Sequence, residues 1–279
     1  NMDPADPFAH AALALGYLEI EHTGLDPEGD ALVKAEASAR QAFRLDSTMV
    51  DVLAAMSEIY MYKTFEFNKA LEYFKKTLAL NPNRAATHYH YSWALWFFGD
   101  NEGAIREHEL AVKYDPLNPY YVAWMGGLYA YCGQYEKALQ ELTNASLISE
   151  DYYLCYSLGG MIYRELGKYD EAIRLHKILA RDIPWTIGAL GVTYAAAGDT
   201  AKAEEIIHQL EEDVTPFKAY QLAGINATLG RIDEAFKWID FKPRYGAIWG
   251  IFKQPEFKNL QGDERLEELR QSLHIPKLD

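Results

Sequence analysis

A repeat with a period of 34 residues constrains this chain more than any other feature. Gly99, Gly133 and Gly167 are spaced at that interval. Two more columns keep the same spacing, namely Ala104, Ala138 and Ala172, and then Pro82, Pro116, Glu150 and Pro184. Agreement in several columns is typical of an array of supersecondary units in which each unit packs mainly against its neighbours.

Each repeat predicts two helices. In one of them Val122, Met125 and Tyr129 recur at spacings of three and four residues, which places them on one helical face. Gly133 then permits the positive φ of a tight turn, and a second helix is predicted over residues 136–147. One such hairpin cannot bury its own apolar face, whereas stacked neighbours can, so the pattern predicts a solenoid.

These columns resemble the tetratricopeptide repeat over about residues 7–240. The positions that carry the resemblance are Val122, Met125, Gly126, Tyr129, Gly133, Tyr135, Ala138, Leu142 and Ala145, and in the next repeat Tyr156, Gly160, Tyr163, Gly167, Tyr169, Ala172 and Pro184. The resemblance implies an all-α, right-handed superhelical solenoid of about seven helix pairs plus a C-terminal capping helix. We expect one domain over 1–279, with repeats in 7–240 and a cap in 241–279 that includes a helix near 264–273.

The family consists mostly of adaptor and scaffold modules, so the resemblance implies a non-enzymatic protein that binds a protein or peptide. A second, looser resemblance lies in the tail, FKQPEFKNLQGDERLEELRQSLHI, residues 252–275. It is similar to the end of tetratricopeptide modules in bacterial regulators of the adenylate cyclase or winged-helix type. The alternative function is therefore that of a regulatory or sensory part of a signalling enzyme or transcription regulator.

The charge balance narrows the classes of partner. The formal net charge is −14, and nucleic acids and anionic membranes both require a basic face, so neither is expected as a partner. No run of eighteen apolar residues is present, and the first residues lack the pattern of a signal peptide. The two cysteines, Cys132 and Cys155, form no disulfide framework, which favours a cytoplasmic location.

The stretch HYHYSWALWFFGD, residues 88–100, is unusually rich in rings. The resemblance to the family implies that certain slots of each first helix line a concave inner surface. The residues predicted to bind a partner there are Tyr62, Tyr89, Trp93, Trp96, Phe97, Tyr120, Trp124, Tyr131, Arg164 and Trp185. Three interpretations of the rings stay open, namely a ligand groove, extra core between helices and a homodimer contact.

The remaining candidate groups predict no catalytic, cofactor or metal site. No phosphate-binding loop, nucleophile elbow or zinc-protease motif is present. His88 and His90 are two residues apart on a helix and point to different faces, so structural roles are favoured over metal binding. His108 and His176 share a slot that faces the helix interface, where hydrogen-bonded core histidines are expected.

Overall fold

The computed structural model describes residues 5–22, 30–241 and 248–275, and these ranges contain helices and no strand. Of the predicted cap, residues 242–247 and 276–279 lie outside the described residues. The helices are α1 (Pro7–His22), α2 (Ala31–Leu45), α3 (Val50–Tyr62), α4 (Phe67–Leu80), α5 (Ala85–Phe97), α6 (Asn101–Tyr114), α7 (Pro119–Tyr131), α8 (Tyr135–Ile148), α9 (Tyr153–Glu165), α10 (Tyr169–Asp182), α11 (Gly188–Ala196), α12 (Thr200–Glu211), α13 (Pro216–Thr228), α14 (Ile232–Ile239) and α15 (Glu264–Ser272).

The predicted all-α fold of helix pairs is confirmed. Helices α1 to α14 form seven successive pairs, and each odd-numbered helix packs against the even-numbered helix that follows it. Short 3-10 helices occur at Pro184–Thr186, Ile248–Phe252 and Pro255–Leu260. None of the described helices combines the length and the apolar character that crossing a membrane requires.

Glycine sets the turns within most of the pairs. Gly99, Gly133 and Gly167 follow first helices and have φ values of 86°, 74° and 70°, in the left-handed region that a residue without Cβ adopts at no steric cost. Phe65 occupies the equivalent place in the second pair with φ 56°. The repeated glycine column therefore exists because the chain must reverse within a few residues.

Small side chains set the distance between paired helices. A Cβ on Gly126 would lie 2.9 Å from the carbonyl oxygen of Ala138, so no larger residue fits without a shift. Ala104, Ala138 and Ala172, the residues of the repeated alanine column, are fully buried. The close approach of the helices then buries larger apolar side chains around them, each of which contributes roughly 1.5–3 kcal/mol.

The chain divides into two compact units. The first comprises Asn1–Tyr114 and Glu267–Asp279, and the second comprises Asp115–Leu266. In the first unit α3 packs against both α1 and α5, so the first helices form a row. The second unit repeats this arrangement, with contacts between α7 and α9, α9 and α11, and α11 and α13. The prediction of a single domain over 1–279 stays a prediction.

Candidate functional site

The row of first helices in the first unit contains a continuous cluster of rings. Trp93 lies edge-to-face with Trp96 at 5.6 Å between ring centroids and 6.2 Å from Tyr89. Phe97 stacks on Phe67 of α4 at 5.0 Å. These offset and edge-to-face arrangements are the ones that aromatic quadrupoles favour.

These rings are buried, whereas a ligand groove, one of the three interpretations of the sequence, requires exposed rings. Five of the ten predicted partner-binding residues belong to this cluster or adjoin it, and their exposed fractions are at most 7%: Tyr62, Tyr89, Trp93, Trp96 and Phe97. In the described residues the rings of α5 pack on one another and on rings of α4 and α6, namely Phe67 and His108. Their burial favours the interpretation that they are extra core between helices, and their role in binding a partner stays a prediction.

Three helices of the same row bring His22, Glu58 and His90 together. The Oε2 atom of Glu58 lies 3.3 Å from Nε2 of His22 and 3.3 Å from Nε2 of His90. One potential ligand atom from each residue lies within 4.8 Å of the others. His22 is the last residue of α1, Glu58 lies on α3 and His90 lies on α5, so packing of the first helices assembles the group.

Neighbouring rings hold this His–Glu–His cluster in place. The hydroxyl of Tyr62 is 3.0 Å from Nδ1 of His90, and the Tyr62 ring lies edge-to-face on His22 at 4.6 Å. Burial lowers the pKa of His90 to about 4. Burial opposes ionisation of Glu58, but the nearby imidazoles of His90 and His22 outweigh it and lower the pKa of that carboxyl.

Sequence reasoning considered His90 only together with His88 and missed His22 and Glu58. A signal was present in the repeat columns. Counted back from the turn residue, Glu58 stands in the column that otherwise contains small residues, namely Ser92, Gly126, Gly160, Gly191 and Ala223. A carboxylate in a column that faces a paired helix is a buried charge, and buried charges need partners.

Three other histidines, His88, His108 and His176, have structural partners. His88 lies 2.6 Å from Glu107 and 2.9 Å from the carbonyl oxygen of Pro82. His108 and His176 are buried as predicted, with Nδ1 atoms 3.1 Å from Ser92 Oγ and 2.7 Å from Thr193 Oγ1. The predicted core role of the latter two is confirmed, because their ring nitrogens bond to groups of adjacent helices.

In the second unit α7 presents half-buried rings. Tyr120 lies 6.0 Å from Tyr121 and 6.5 Å from Trp124, in both cases edge-to-face. Asn118 caps this helix by accepting a hydrogen bond from the Tyr120 backbone N–H at 3.1 Å. The cap fixes the first turn of α7 and with it the directions of these rings.

A segment of the chain itself, residues 254–259, lies on first helices of the second unit. We call it the tail segment. Arg164 of α9 donates to the Glu256 carboxylate at 3.2 Å, and the ring of Phe257 lies edge-to-face on Tyr220 at 5.2 Å. The Asn259 side chain donates to the Ala227 carbonyl oxygen at 2.9 Å. Arg164 was predicted to contact a partner, and its partner here is a carboxylate of the same chain.

The last two predicted site residues differ in exposure. Tyr131 is half-buried, and burial followed by the charge of Glu256 raises the pKa of its phenol. Trp185 lies in the 3-10 turn before α11 with 43% of its surface exposed. The Trp185 carbonyl oxygen accepts a hydrogen bond from Gln221 at 3.0 Å, so the backbone of this turn is fixed while the indole faces solvent.

Comparison with known proteins gives the class of this all-α chain of helix pairs. The tetratricopeptide repeat family model matches residues 154–183. The fold is similar to that of a tetratricopeptide repeat protein from Parabacteroides merdae, with a TM-score of 0.59 and 18% identity over 94% of this chain and 99% of that one. Residues 154–183 therefore match a tetratricopeptide repeat, and the fold of the chain is that of a tetratricopeptide repeat protein.

Two curated relatives are longer than this chain. BBSome complex member BBS4 from Bos taurus is 23% identical over 222 residues, which cover 75% of this chain and 42% of the relative. Transcriptional regulator HilA from Salmonella typhimurium is 29% identical over 116 residues, which cover 42% of this chain and 21% of the relative. The chain thus spans less than half the length of each.

Proposed function

We propose that this protein is a non-enzymatic scaffold that binds a protein or peptide on the first helices of its repeats. One observation carries the proposal, namely the tail segment seated on α9 and α13. It is held by an ion pair from Arg164, by the ring contact between Phe257 and Tyr220 and by a hydrogen bond to a helix carbonyl. A short segment with an anchoring ring and a few polar contacts is the kind of ligand that helical grooves take.

The surface proposed for an external partner is the set of accessible rings on α7. Tyr120, Tyr121 and Trp124 are half-buried, and aromatic side chains of this type supply large contact areas at low entropic cost. The net charge of −14 favours a partner segment that combines aromatic or aliphatic anchors with basic residues. We place the complex in the cytoplasm, because Cys132 and Cys155 are both free thiols.

Selection from a displayed peptide library followed by calorimetry tests this proposal. Peptides recovered on the wild-type protein are titrated into Tyr120→Ala combined with Trp124→Ala, and into the control Leu147→Ala, whose side chain is 82% exposed on α8. We expect the double variant to lose at least about tenfold in affinity, because truncated aromatic anchors cost roughly 2 kcal/mol or more. The control should bind as the wild type does.

Two outcomes would contradict the proposal. Equal affinity of the double variant and the wild type removes α7 from the binding surface. Light scattering that shows a dimer in the wild type and a monomer in the double variant makes a second copy of this chain the occupant. Circular dichroism of each variant establishes that the helices are retained, so that lost binding is not lost folding.

A second candidate function is supported by the match to HilA. In this alternative the chain is the regulatory part of a longer regulator, as the looser resemblance of residues 252–275 predicts. The full coding sequence decides between the two. A cyclase or DNA-binding domain in the same reading frame favours the regulatory part, and its absence from that frame favours the scaffold.

A further inference from the structure

The first unit contains a group of side chains that the scaffold function does not use. His22, Glu58 and His90 are side chains of three successive first helices, and their exposed fractions are 14%, 8% and 10%. Two imidazoles and a carboxylate in a largely buried position are an unusual group, because burying ionisable side chains costs free energy even when they are hydrogen-bonded to one another. We propose that these three residues bind a divalent transition-metal ion, with zinc as the expected occupant.

The spacing of the ligand atoms fits a tetrahedral ion. A zinc ion with ligand bonds of about 2.0–2.2 Å holds its ligand atoms about 3.3–3.5 Å apart. Both contacts of Glu58 Oε2, to His22 Nε2 and to His90 Nε2, are 3.3 Å, and all three ligand atoms lie within 4.8 Å of one another. Coordination therefore needs side-chain adjustments of an ångström or so and no movement of helices.

The ligand types select the kind of metal. Imidazole nitrogen suits zinc and its neighbours in the first transition row, whereas magnesium and calcium prefer sites made of oxygen alone. Two histidines and one glutamate form a known zinc ligand set, which leaves a fourth position for water. The proposed site is thus expected to discriminate strongly against magnesium.

A neighbouring side chain supports the assignment of His90 as a ligand. Metal-binding histidines donate the second ring N–H to an outer partner, which fixes the tautomer and the ring orientation. Tyr62 lies four residues after Glu58 on α3, and its hydroxyl is 3.0 Å from His90 Nδ1. In the metal-bound state Nδ1–H donates to the Tyr62 oxygen, and the Nε2 lone pair faces Glu58 and the ion.

The positive charge of Arg84 lies near the three ligands and is partly offset by an ion pair. Arg84 influences both Glu58 and His90, and its guanidinium is paired with the Asp51 carboxylate at 2.8 Å. With that pair neutral, the Glu58 carboxylate is the charge in contact with the ion. The metal would join α1, α3 and α5 and thereby tie three successive repeats together.

Calorimetry on chelator-treated protein tests this proposal. Wild-type protein titrated with zinc should bind one equivalent, and the same titration with magnesium should show none. His22→Ala and His90→Ala should each lose that equivalent, whereas His208→Ala should retain it, because His208 is an exposed histidine of α12 with 78% of its side chain accessible. Cobalt in place of zinc should give the visible bands of a tetrahedral site.

A conservative variant keeps the test decisive if a ligand variant fails to fold. Tyr62→Phe retains all three ligands and the ring packing, and it removes only the hydroxyl beside His90 Nδ1. We expect it to bind zinc about 10- to 100-fold more weakly. Zinc should also raise the melting temperature of the wild type and have less effect on this variant.

Three results would overturn the proposal. One is wild-type protein that binds no saturating equivalent of zinc. Another is zinc binding that is unchanged in folded His22→Ala and His90→Ala. The third is zinc affinity in Tyr62→Phe equal to that of the wild type together with X-ray absorption that shows no imidazole ligand. Each of these would leave the three residues as a hydrogen-bonded group without metal.

Discussion

The two compact units bury the side chains on their first helices in different ways. In the first unit, the rings of α5 pack on one another and on rings of α4 and α6, and this aromatic cluster has at most a few per cent of its surface exposed. In the second unit, part of the same face is covered by the tail segment, which contacts Arg164 and Tyr220. The position of a residue within the repeat therefore does not by itself determine how exposed its side chain is.

Side-chain size explains the contrast. α5 contains Tyr89, Trp93, Trp96 and Phe97, which are large enough to be buried against one another and against rings of α4 and α6. At the positions that correspond to Trp93 and Trp96, α13 contains the small residues Gly224 and Ala227, and α9 contains Met161 and the charged Arg164. A buried guanidinium must be paired, and Arg164 pairs both with the adjacent Glu165 and with Glu256 of the tail segment.

The largest expected effect comes from removing a ring of the first unit. Phe97 is fully buried and stacks on Phe67, so Phe97→Ala should lower the free energy of unfolding by about 3–5 kcal/mol. Urea denaturation followed by circular dichroism measures the loss. A decrease below about 1 kcal/mol would mean that the aromatic cluster contributes little to stability, and the contrast between the units would then fail.

Breaking the ion pair of the second unit should have the next largest effect. Arg164→Ala leaves the Glu256 carboxylate without its guanidinium, which should cost about 3 kcal/mol of unfolding free energy. Amide hydrogen exchange in residues 255–260 should become faster. Arg164→Ala with Glu256→Ala should recover part of the loss, and equal stability of the single and double variants would show that the pair is not what holds the tail segment.

A buried histidine gives the second unit its own pH dependence. Burial lowers the pKa of His176 to about 4, and its ring contacts Thr193 and the Ser157 carbonyl oxygen while the charge of Arg164 also disfavours protonation. The unfolded chain has an ordinary imidazole pKa of about 6.5, so the unfolded state takes up the proton first. Stability should therefore fall as the pH drops from about 6.5 to 4, by on the order of 2–3 kcal/mol.

His176→Asn provides the comparison for that prediction. The variant lacks a group that titrates in this range, so the slope of unfolding free energy against pH between 4 and 6.5 should become shallower than in the wild type. Parallel slopes in the two proteins would show that His176 is protonated in the folded state or that other groups cause the loss.

The smallest effect is expected at an exposed ring. Trp185 has 43% of its surface exposed, and the hydrogen bond at this position involves its backbone carbonyl, which Trp185→Ala retains. Unfolding free energy should change by less than about 1 kcal/mol. A larger loss would show that the indole is part of the core of the second unit. It would also weaken the contrast between the first unit, where rings pack on one another, and the second unit, where the tail segment covers the first helices.

Much of the fold could be predicted from the sequence, because the repeated residues reflect the local geometry of helices and turns. The helix predicted over 136–147 is α8, Tyr135–Ile148, and the predicted terminal helix is α15, Glu264–Ser272. The sixth pair differs in detail. Pro184, which belongs to the repeated proline column, begins a 3-10 turn over Pro184–Thr186, and α11 begins only at Gly188. Proline marks a helix start without fixing the type of its first turn.

The candidate sites were harder to predict from the sequence than the fold was. The predicted aromatic residues do lie on first helices or the turns before them, yet their exposure depended on what packed over them. Arg164 and Glu256 are separated by 92 positions, and no local pattern pairs them. The His22–Glu58–His90 cluster spans three repeats, so its only signal was a carboxylate in a column of small residues.

The sequence by itself determined the helix pairs, because the spacing of apolar residues, small residues and turn glycines acts within about 34 residues. The tertiary structure alone decided which side chains of the first helices are accessible, which are buried against other rings and which meet a carboxylate. The physical reason is that burial and ion pairing depend on contacts between distant repeats, whereas helix formation depends on neighbours along the chain.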